Sequence, residues 1–154
     1  MTTEPLATRH SSARAAGGRT ASRPHTDLLA AVRGFRRALL VAPRTDPCWR
    51  RGVATELPRL CAAFTAHVEL TDGPGGLYSQ VVADAPRLVS QVHRLGREHA
   101  TLCGALEALA RRLDAPPDQV LGWGSDLLRA LARHRQRGAD LLHAAYAVDL
   151  GGET

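Results

Sequence analysis

The chain contains no lysine, no isoleucine and no asparagine among its 154 residues, and only 4% of them are aromatic. The codons of the three missing residues are rich in A and T, so their absence predicts a GC-rich genome, such as that of an actinobacterium. A shortage of aromatic and β-branched residues disfavours β-sheet, whereas the abundance of alanine, leucine and arginine favours helices. The composition therefore predicts an all-α protein.

Long apolar runs are also missing. No segment resembles a membrane span or the apolar core of a signal peptide, so we expect a cytoplasmic protein with no membrane partner. The three cysteines, Cys48, Cys61 and Cys103, are odd in number and show no paired spacing. This pattern predicts reduced thiols and excludes a disulfide framework.

The net charge of +5 comes mainly from one end of the chain. Residues 1–26 contain four arginines and one glutamate, whereas the rest of the chain balances 16 arginines against 14 acids. Because no basic stripe results, we expect no specific nucleic-acid partner. Residues 1–24 lack periodicity and are predicted to form a disordered basic tail.

Prolines and glycines divide the remaining residues, 25–150, into helices joined by short turns. Four long helices are predicted at about Pro24–Val41, Pro47–Leu70, Pro86–Leu113 and Asp118–Leu150, with a short one at Leu77–Asp84. Pro58 is expected to kink or restart the second long helix. Short connections favour an antiparallel, up-down-up-down four-helix bundle in a single domain.

Each long helix carries one histidine where its apolar seam would otherwise carry a leucine. These seam histidines are His25, His67, His99 and His134. The apolar residues around each of them recur every three or four positions, the spacing that keeps one helix face turned toward a partner. Imidazoles in a bundle core are costly without a partner, which a metal ion or cofactor supplies.

The seam histidines also fall at matched distances from the turns. His25 and His67 lie 21 residues before and after the turn near residue 46, and His99 and His134 lie 17 and 18 residues from the turn near residue 116. A mismatch of one residue displaces a side chain by only about 1.5 Å along a helix. The two histidines of each hairpin are therefore predicted to lie at the same height.

One histidine on each of four helices resembles the hemerythrin-like (HHE cation-binding) domain family, over roughly residues 25–150. The stretches that carry the resemblance are Phe64–His67, Arg97–His99 and His134–Gly152. The resemblance implies a four-helix bundle whose histidines hold a carboxylate-bridged di-iron centre. In that family an acid follows the second-helix and fourth-helix histidines by four residues, but here Thr71 and Gly138 stand at those positions.

The nearest acids in the sequence, Glu69, Asp72 and Asp140, lie on other sides of their helices than the histidines they would assist. An altered, histidine-rich centre is therefore expected in place of an intact di-iron site. In a first interpretation the four histidines bind a single transition-metal ion, for which iron is preferred and zinc is an alternative. Cys103 would add a thiolate, and the space at Gly138 would admit dioxygen, peroxide or nitric oxide.

Two other interpretations of the histidines remain open. Two of them could clamp a haem, with space made by Thr71 and Gly138. Alternatively the site holds no cofactor, and the histidines bond to each other, to Thr71 and to buried water. Beside them, Glu98 either orients a neighbouring ligand or faces water. Tyr78 is interpreted as a packing residue.

Three functions are consistent with these sequence features. The preferred one is metal binding for oxygen or redox chemistry or sensing. An oxidative enzyme acting on a small organic substrate is the second, because lost carboxylate ligands open coordination positions. The third is a metal-free helical module for interaction or regulation. No catalytic residue can be named from the sequence.

Overall fold

The computed structural model describes the backbone of residues 22–147 and the side chains of residues 27–147. This part of the chain is helical and contains no strand. Its elements are α1 (Ser22–Leu40), α2 (Pro47–Asp72), α3 (Leu77–Asp84), a 3₁₀ turn (Pro86–Leu88), α4 (Val89–Ala110) and α5 (Pro117–Tyr146). The predicted all-α class is therefore confirmed, while the predicted tail lies almost entirely outside the described residues.

The short loop between α1 and α2 is held by polar contacts at the start of α2. The Asp46 carboxylate caps the helix by accepting a hydrogen bond from the Cys48 backbone N–H at 2.8 Å. Pro47 occupies the first helical position, where a missing N–H costs nothing. The Trp49 indole N–H donates to the carbonyl oxygen of Leu39 at 3.1 Å, which ties the start of α2 to the end of α1.

Pro58 lies inside α2 and does not divide it, so of the two expected alternatives, a kink or a restart, the restart is wrong. The helix runs unbroken from Pro47 to Asp72. A proline inside a helix removes one backbone hydrogen bond, but the neighbouring Leu57 and Leu60 are only 1% and 0% exposed. Their burial stabilises the helix across the proline. The consequence for the site is that His67 and Asp72 lie on the same rigid element.

The third predicted long helix is divided, and it ends earlier than expected. Leu88 has φ −93° and ψ 3°, outside the α-helical range, so the 3₁₀ turn and α4 are separate elements. Helix α4 ends at Ala110 rather than at Leu113. Helix α5 is described as far as Tyr146, and its predicted end at Leu150 lies outside the described residues. These differences affect the ends of the helices and leave the histidine positions inside them.

The four long helices share one apolar cluster, here called the main core. It consists of Leu28, Phe35, Leu39, Trp49, Val53, Leu57, Leu60, Phe64, Leu102, Leu106, Leu109, Val120, Leu127 and Leu131. Helix α1 packs against α2 and α5, and α4 packs against the same two helices, so the contacts form a closed ring. This arrangement is compatible with a helical bundle.

A second apolar cluster, the distal core, forms where the short helix α3 covers α4 and α5. It consists of Tyr78, Val81, Ala85, Leu88, Val92, Leu95 and Leu141. Within the described residues, none of the helices combines the length and the apolar character needed to cross a membrane. The two clusters leave a layer between them, and that layer contains the buried histidines.

Candidate metal centre

Three of the four seam histidines converge in the interior. His67 of α2, His99 of α4 and His134 of α5 each present a ring nitrogen, and these three nitrogens lie within 4.8 Å of one another. The Nε2 atoms of His99 and His134 are 3.0 Å apart. The His67 ring centroid lies 5.2 Å from that of His99 and 5.6 Å from that of His134. The predicted common height is confirmed for His99 and His134, and it extends to His67.

The histidine layer is enclosed by aromatic rings from both apolar clusters. His99 and His134 are each only 2% exposed. The Phe64 ring of the main core contacts all three imidazoles, at centroid distances of 5.7, 5.8 and 6.1 Å. On the other side, the Tyr78 ring of the distal core stacks on His99 at 5.5 Å, with 9° between the planes. The ring nitrogens of His99 and His134 are therefore shielded from water, whereas His67 is half-buried.

Asp72 binds the outer nitrogen of His99. Its Oδ2 accepts a hydrogen bond from His99 Nδ1 at 2.6 Å. Asp72 is the last residue of α2, and its carboxylate reaches across to α4. The sequence interpretation placed Asp72 away from His67 on the same helix and did not foresee a partner on another helix. The contact orients the His99 ring so that Nε2 points inward.

Glu98 performs the same role for His134. Its Oε2 accepts from His134 Nδ1 at 2.9 Å, while its Oε1 lies 2.7 Å from Arg137 Nε. Burial raises the pKa of Glu98, but the hydrogen bonds from His134 and Arg137 outweigh burial, and the net pKa is lowered. Glu98 is therefore a carboxylate at neutral pH, and of its two interpretations the structure favours the orienting one.

These contacts decide which nitrogens are free to bind an ion. Because both Nδ1 atoms face carboxylates, they carry the ring hydrogens, and the two Nε2 atoms direct their lone pairs into the layer. Burial lowers the pKa of His134, outweighing the effect of its hydrogen bond to Glu98, and so favours the neutral imidazole. Two lone pairs 3.0 Å apart repel unless a proton or a cation lies between them.

The other residues proposed from the sequence occupy different positions. Cys103 lies outside the group of three histidines; it is half-buried against the main core, where burial raises the pKa of its thiol. The Thr71 hydroxyl is buried and donates to the carbonyl oxygen of His67 at 2.9 Å. At Gly138 an added Cβ would meet nothing within 4 Å, so space is present beside it. The side chain of His25, in the first turn of α1, lies outside the described residues.

Tyr78 is closer to the site than its interpretation as a packing residue implies. It is 6% exposed, and its hydroxyl oxygen lies 3.5 Å from His99 Nε2. Burial, followed by the charges of Asp72 and Glu98, raises the pKa of Tyr78 well above its usual range. The periodicity of a helix predicts which of its faces is buried but not which helix packs against that face. The docking of α3 against α4 could therefore not be predicted from the sequence.

Asp72 and Tyr78 also line a surface groove of about 760 Å³ between α3 and α4. His93 and Arg97 lie on the α4 side of this groove. The groove brings solvent to the outer face of the Asp72 carboxylate, whose side chain is 36% exposed. The groove is therefore separated from His99 by the Asp72 carboxylate and the Tyr78 ring, which both contact that histidine.

Comparison with protein-family models, with curated proteins and with solved structures finds no match for this chain. What the centre can bind therefore follows from its donor atoms and their surroundings. Three imidazoles, two of them fixed from outside by carboxylates, form a cluster that could hold a metal ion.

Proposed function

We propose that this protein binds one transition-metal ion through His67, His99 and His134. The observation that carries the proposal is the pair of inward-facing Nε2 atoms 3.0 Å apart, each on a ring held at Nδ1 by a carboxylate. A carboxylate or carbonyl on the outer nitrogen is the usual companion of a metal-ligating histidine, because it fixes the tautomer and makes the ligand more basic.

The spacing of the nitrogens suits a single small ion. Nitrogens bonded to one ion at about 2.0–2.1 Å are separated by at most about 4.2 Å. The separation of His99 and His134 is within this limit, and His67 needs only a slight closing movement because all three nitrogens lie within 4.8 Å. Axial histidines of a haem lie near the upper limit, on opposite faces of a large macrocycle. The rings of Phe64 and Tyr78 pack against the histidines, which favours a small ion over a large planar group.

The proposed fold is the up-down-up-down, hemerythrin-like bundle. The closed ring of contacts among four long helices and their shared core support it. The proposed centre departs from the family in holding a single ion, because Thr71 bonds to its own helix backbone and Gly138 has no side chain. Neither position can supply a bridging carboxylate.

Iron is the proposed ion, and oxygen or redox chemistry or sensing is the proposed use. Neutral imidazoles also bind zinc, copper and nickel, so which ion the protein binds depends on the metal supply as well as on the donor atoms. Iron would contribute a redox couple and vacant coordination positions for dioxygen, peroxide or nitric oxide. The chain contributes the inward Nε2 donors, the outer carboxylates and a setting from which Phe64 and Tyr78 exclude bulk water.

The proposal is tested by metal analysis of the full-length protein, as purified from iron-supplemented cells and after reconstitution with each candidate ion. We expect close to one equivalent of metal per chain and a higher melting temperature in the loaded protein, since an ion that binds the folded state alone stabilises it. The exposed histidines His93 and His143 provide a control, because replacing both by alanine should leave the stoichiometry unchanged. Less than a tenth of an equivalent under all conditions would favour the metal-free helical module instead.

The outer carboxylates give a second expected result. Asp72→Asn and Glu98→Gln should each weaken metal affinity by about 10-fold to 100-fold, the usual effect of losing such a partner. Competition with a chromophoric chelator measures the change. Glu107→Gln is the matched control, because Glu107 lies on α4 with a 71% exposed side chain. Equal affinities for all three variants and the wild type would contradict an orienting role for Asp72 and Glu98.

A further inference from the structure

The hydroxyl of Tyr78 lies beside the proposed ion position. Its oxygen is 3.5 Å from His99 Nε2, the nitrogen whose lone pair faces into the histidine layer. The ring is 6% exposed, belongs to the distal core and is nearly parallel to the His99 ring, so packing fixes its direction. An oxygen held this close to a donor nitrogen can share an ion with it.

The position of Tyr78 is set by the turn between α2 and α3. Gly73 caps the end of α2 by donating its N–H to the carbonyl oxygen of Glu69, and Gly75 has φ +68°, a conformation that favours glycine. Helix α3 then begins at Leu77, so Tyr78 stands in its first turn, close to Asp72 at the end of α2. The same turn therefore places both Asp72 and Tyr78 against His99.

We infer that Tyr78 is an oxygen ligand of the proposed metal ion and completes a donor set of three nitrogens and one oxygen. This inference rests on the proposed function and extends it, because it specifies the fourth donor. A bond between the Tyr78 oxygen and the ion would replace the phenol O–H bond, and the proton would be released to solvent. No electron is transferred in this step.

The positive charge of the bound ion, rather than the charges of the surrounding protein, would favour such a donor. Three neutral imidazoles bring no negative charge to the ion, and the carboxylates of Asp72 and Glu98 contact the outer nitrogens rather than the layer itself. A phenolate adds one negative charge directly on the metal. Hard oxygen donors prefer ferric iron to softer ions, so Tyr78 would bias the site toward the ferric state.

The experiment uses the optical spectrum of the full-length protein reconstituted with ferrous iron and oxidised to the ferric state. A phenolate bound to ferric iron produces a visible charge-transfer band, which imidazole ligands alone do not produce. Tyr78→Phe keeps the aromatic ring and its stacking on His99 while removing the oxygen. The chain has just one other tyrosine, Tyr146, which is 48% exposed and bonds to Asp84, so Tyr146→Phe is the matched control.

We expect the band in the wild type and in Tyr146→Phe, and its loss in Tyr78→Phe with about one equivalent of iron still bound. Bound ferric iron without a band in the wild type, or a band that persists in Tyr78→Phe, would overturn the inference and leave the proposed function intact. A wild type that takes up no metal would overturn both. Circular dichroism of each variant checks that the helices remain folded.

Discussion

Replacing His134 by leucine should lower metal affinity by at least about 100-fold, more than the loss of an outer partner, while leaving the protein folded. His134 supplies one of the two closest nitrogens in the layer, and its Nε2 lies 3.0 Å from that of His99. Without it, the remaining nitrogens belong to His67 and His99, whose ring centroids are 5.2 Å apart. The change is measured by metal stoichiometry and by chelator competition.

The same substitution should leave the metal-free protein as stable as before, or more stable. His134 is 2% exposed, and a buried polar ring costs free energy that its hydrogen bonds only partly recover. Leucine has a similar volume, and its apolar side chain would pack against the Phe64 ring. Glu98 keeps its contact with Arg137 and is 20% exposed, so its charge is not left isolated. A histidine that lowers the stability of the metal-free protein but raises its metal affinity is typical of a binding site.

The control for His134→Leu lies on the same helix. His143 of α5 is exposed, and His143→Leu should change neither metal affinity nor helix content. Unfolding curves in urea, recorded with and without metal, separate the two quantities for each variant. If the metal-free His134→Leu protein were strongly destabilised and the wild type gained no stability from any ion, His134 would be a structural residue.

Phe64→Ala should destabilise the protein by about 3–5 kcal/mol, the usual cost of truncating a buried phenylalanine. Phe64 is 0% exposed, belongs to the main core and contacts all three imidazoles. Its removal leaves a cavity next to the histidine layer, which water can enter because polar nitrogens line one side. Denaturant unfolding of the metal-free protein measures the loss.

Phe35 provides the comparison for Phe64. It is the only other phenylalanine of the chain and is likewise 0% exposed in the main core. We expect Phe35→Ala to cost a similar free energy of unfolding without affecting the ligands directly. Phe64→Ala should in addition weaken metal binding, because the imidazoles lose the ring that holds them in place. Equal metal affinities for the two variants would show that Phe64 only stabilises the fold.

Local sequence patterns predicted the helices and the inward orientation of three histidines. The α3 bounds match the prediction, and α2 starts at the predicted Pro47. The convergence of His67, His99 and His134 is confirmed, because a histidine within a three-and-four apolar repeat must share the buried face of its helix. The nearly equal counts from the turn, 17 and 18 residues, indicated the common height of His99 and His134.

The sequence-based predictions differed from the structure where a local sequence rule competed with tertiary packing. Pro58 is a helix breaker by its own chemistry, but the buried Leu57 and Leu60 keep α2 continuous across it. Leu113 continues the apolar repeat of α4, yet the helix ends before it, at Ala110. Periodicity detects a helix more reliably than it locates its end, because capping and tertiary contacts determine the final turn.

By itself, the sequence determined that this protein is helical and that each described seam carries one inward histidine, since both properties follow from residue spacing along one helix. Only the tertiary structure decided that Asp72 and Glu98 hold the outer nitrogens of His99 and His134, and that Tyr78 lies against His99. Each of these contacts joins two different helices. Their geometry depends on the turn between α2 and α3 and on the packing of α4 against α5, neither of which has a repeat that can be read along the chain.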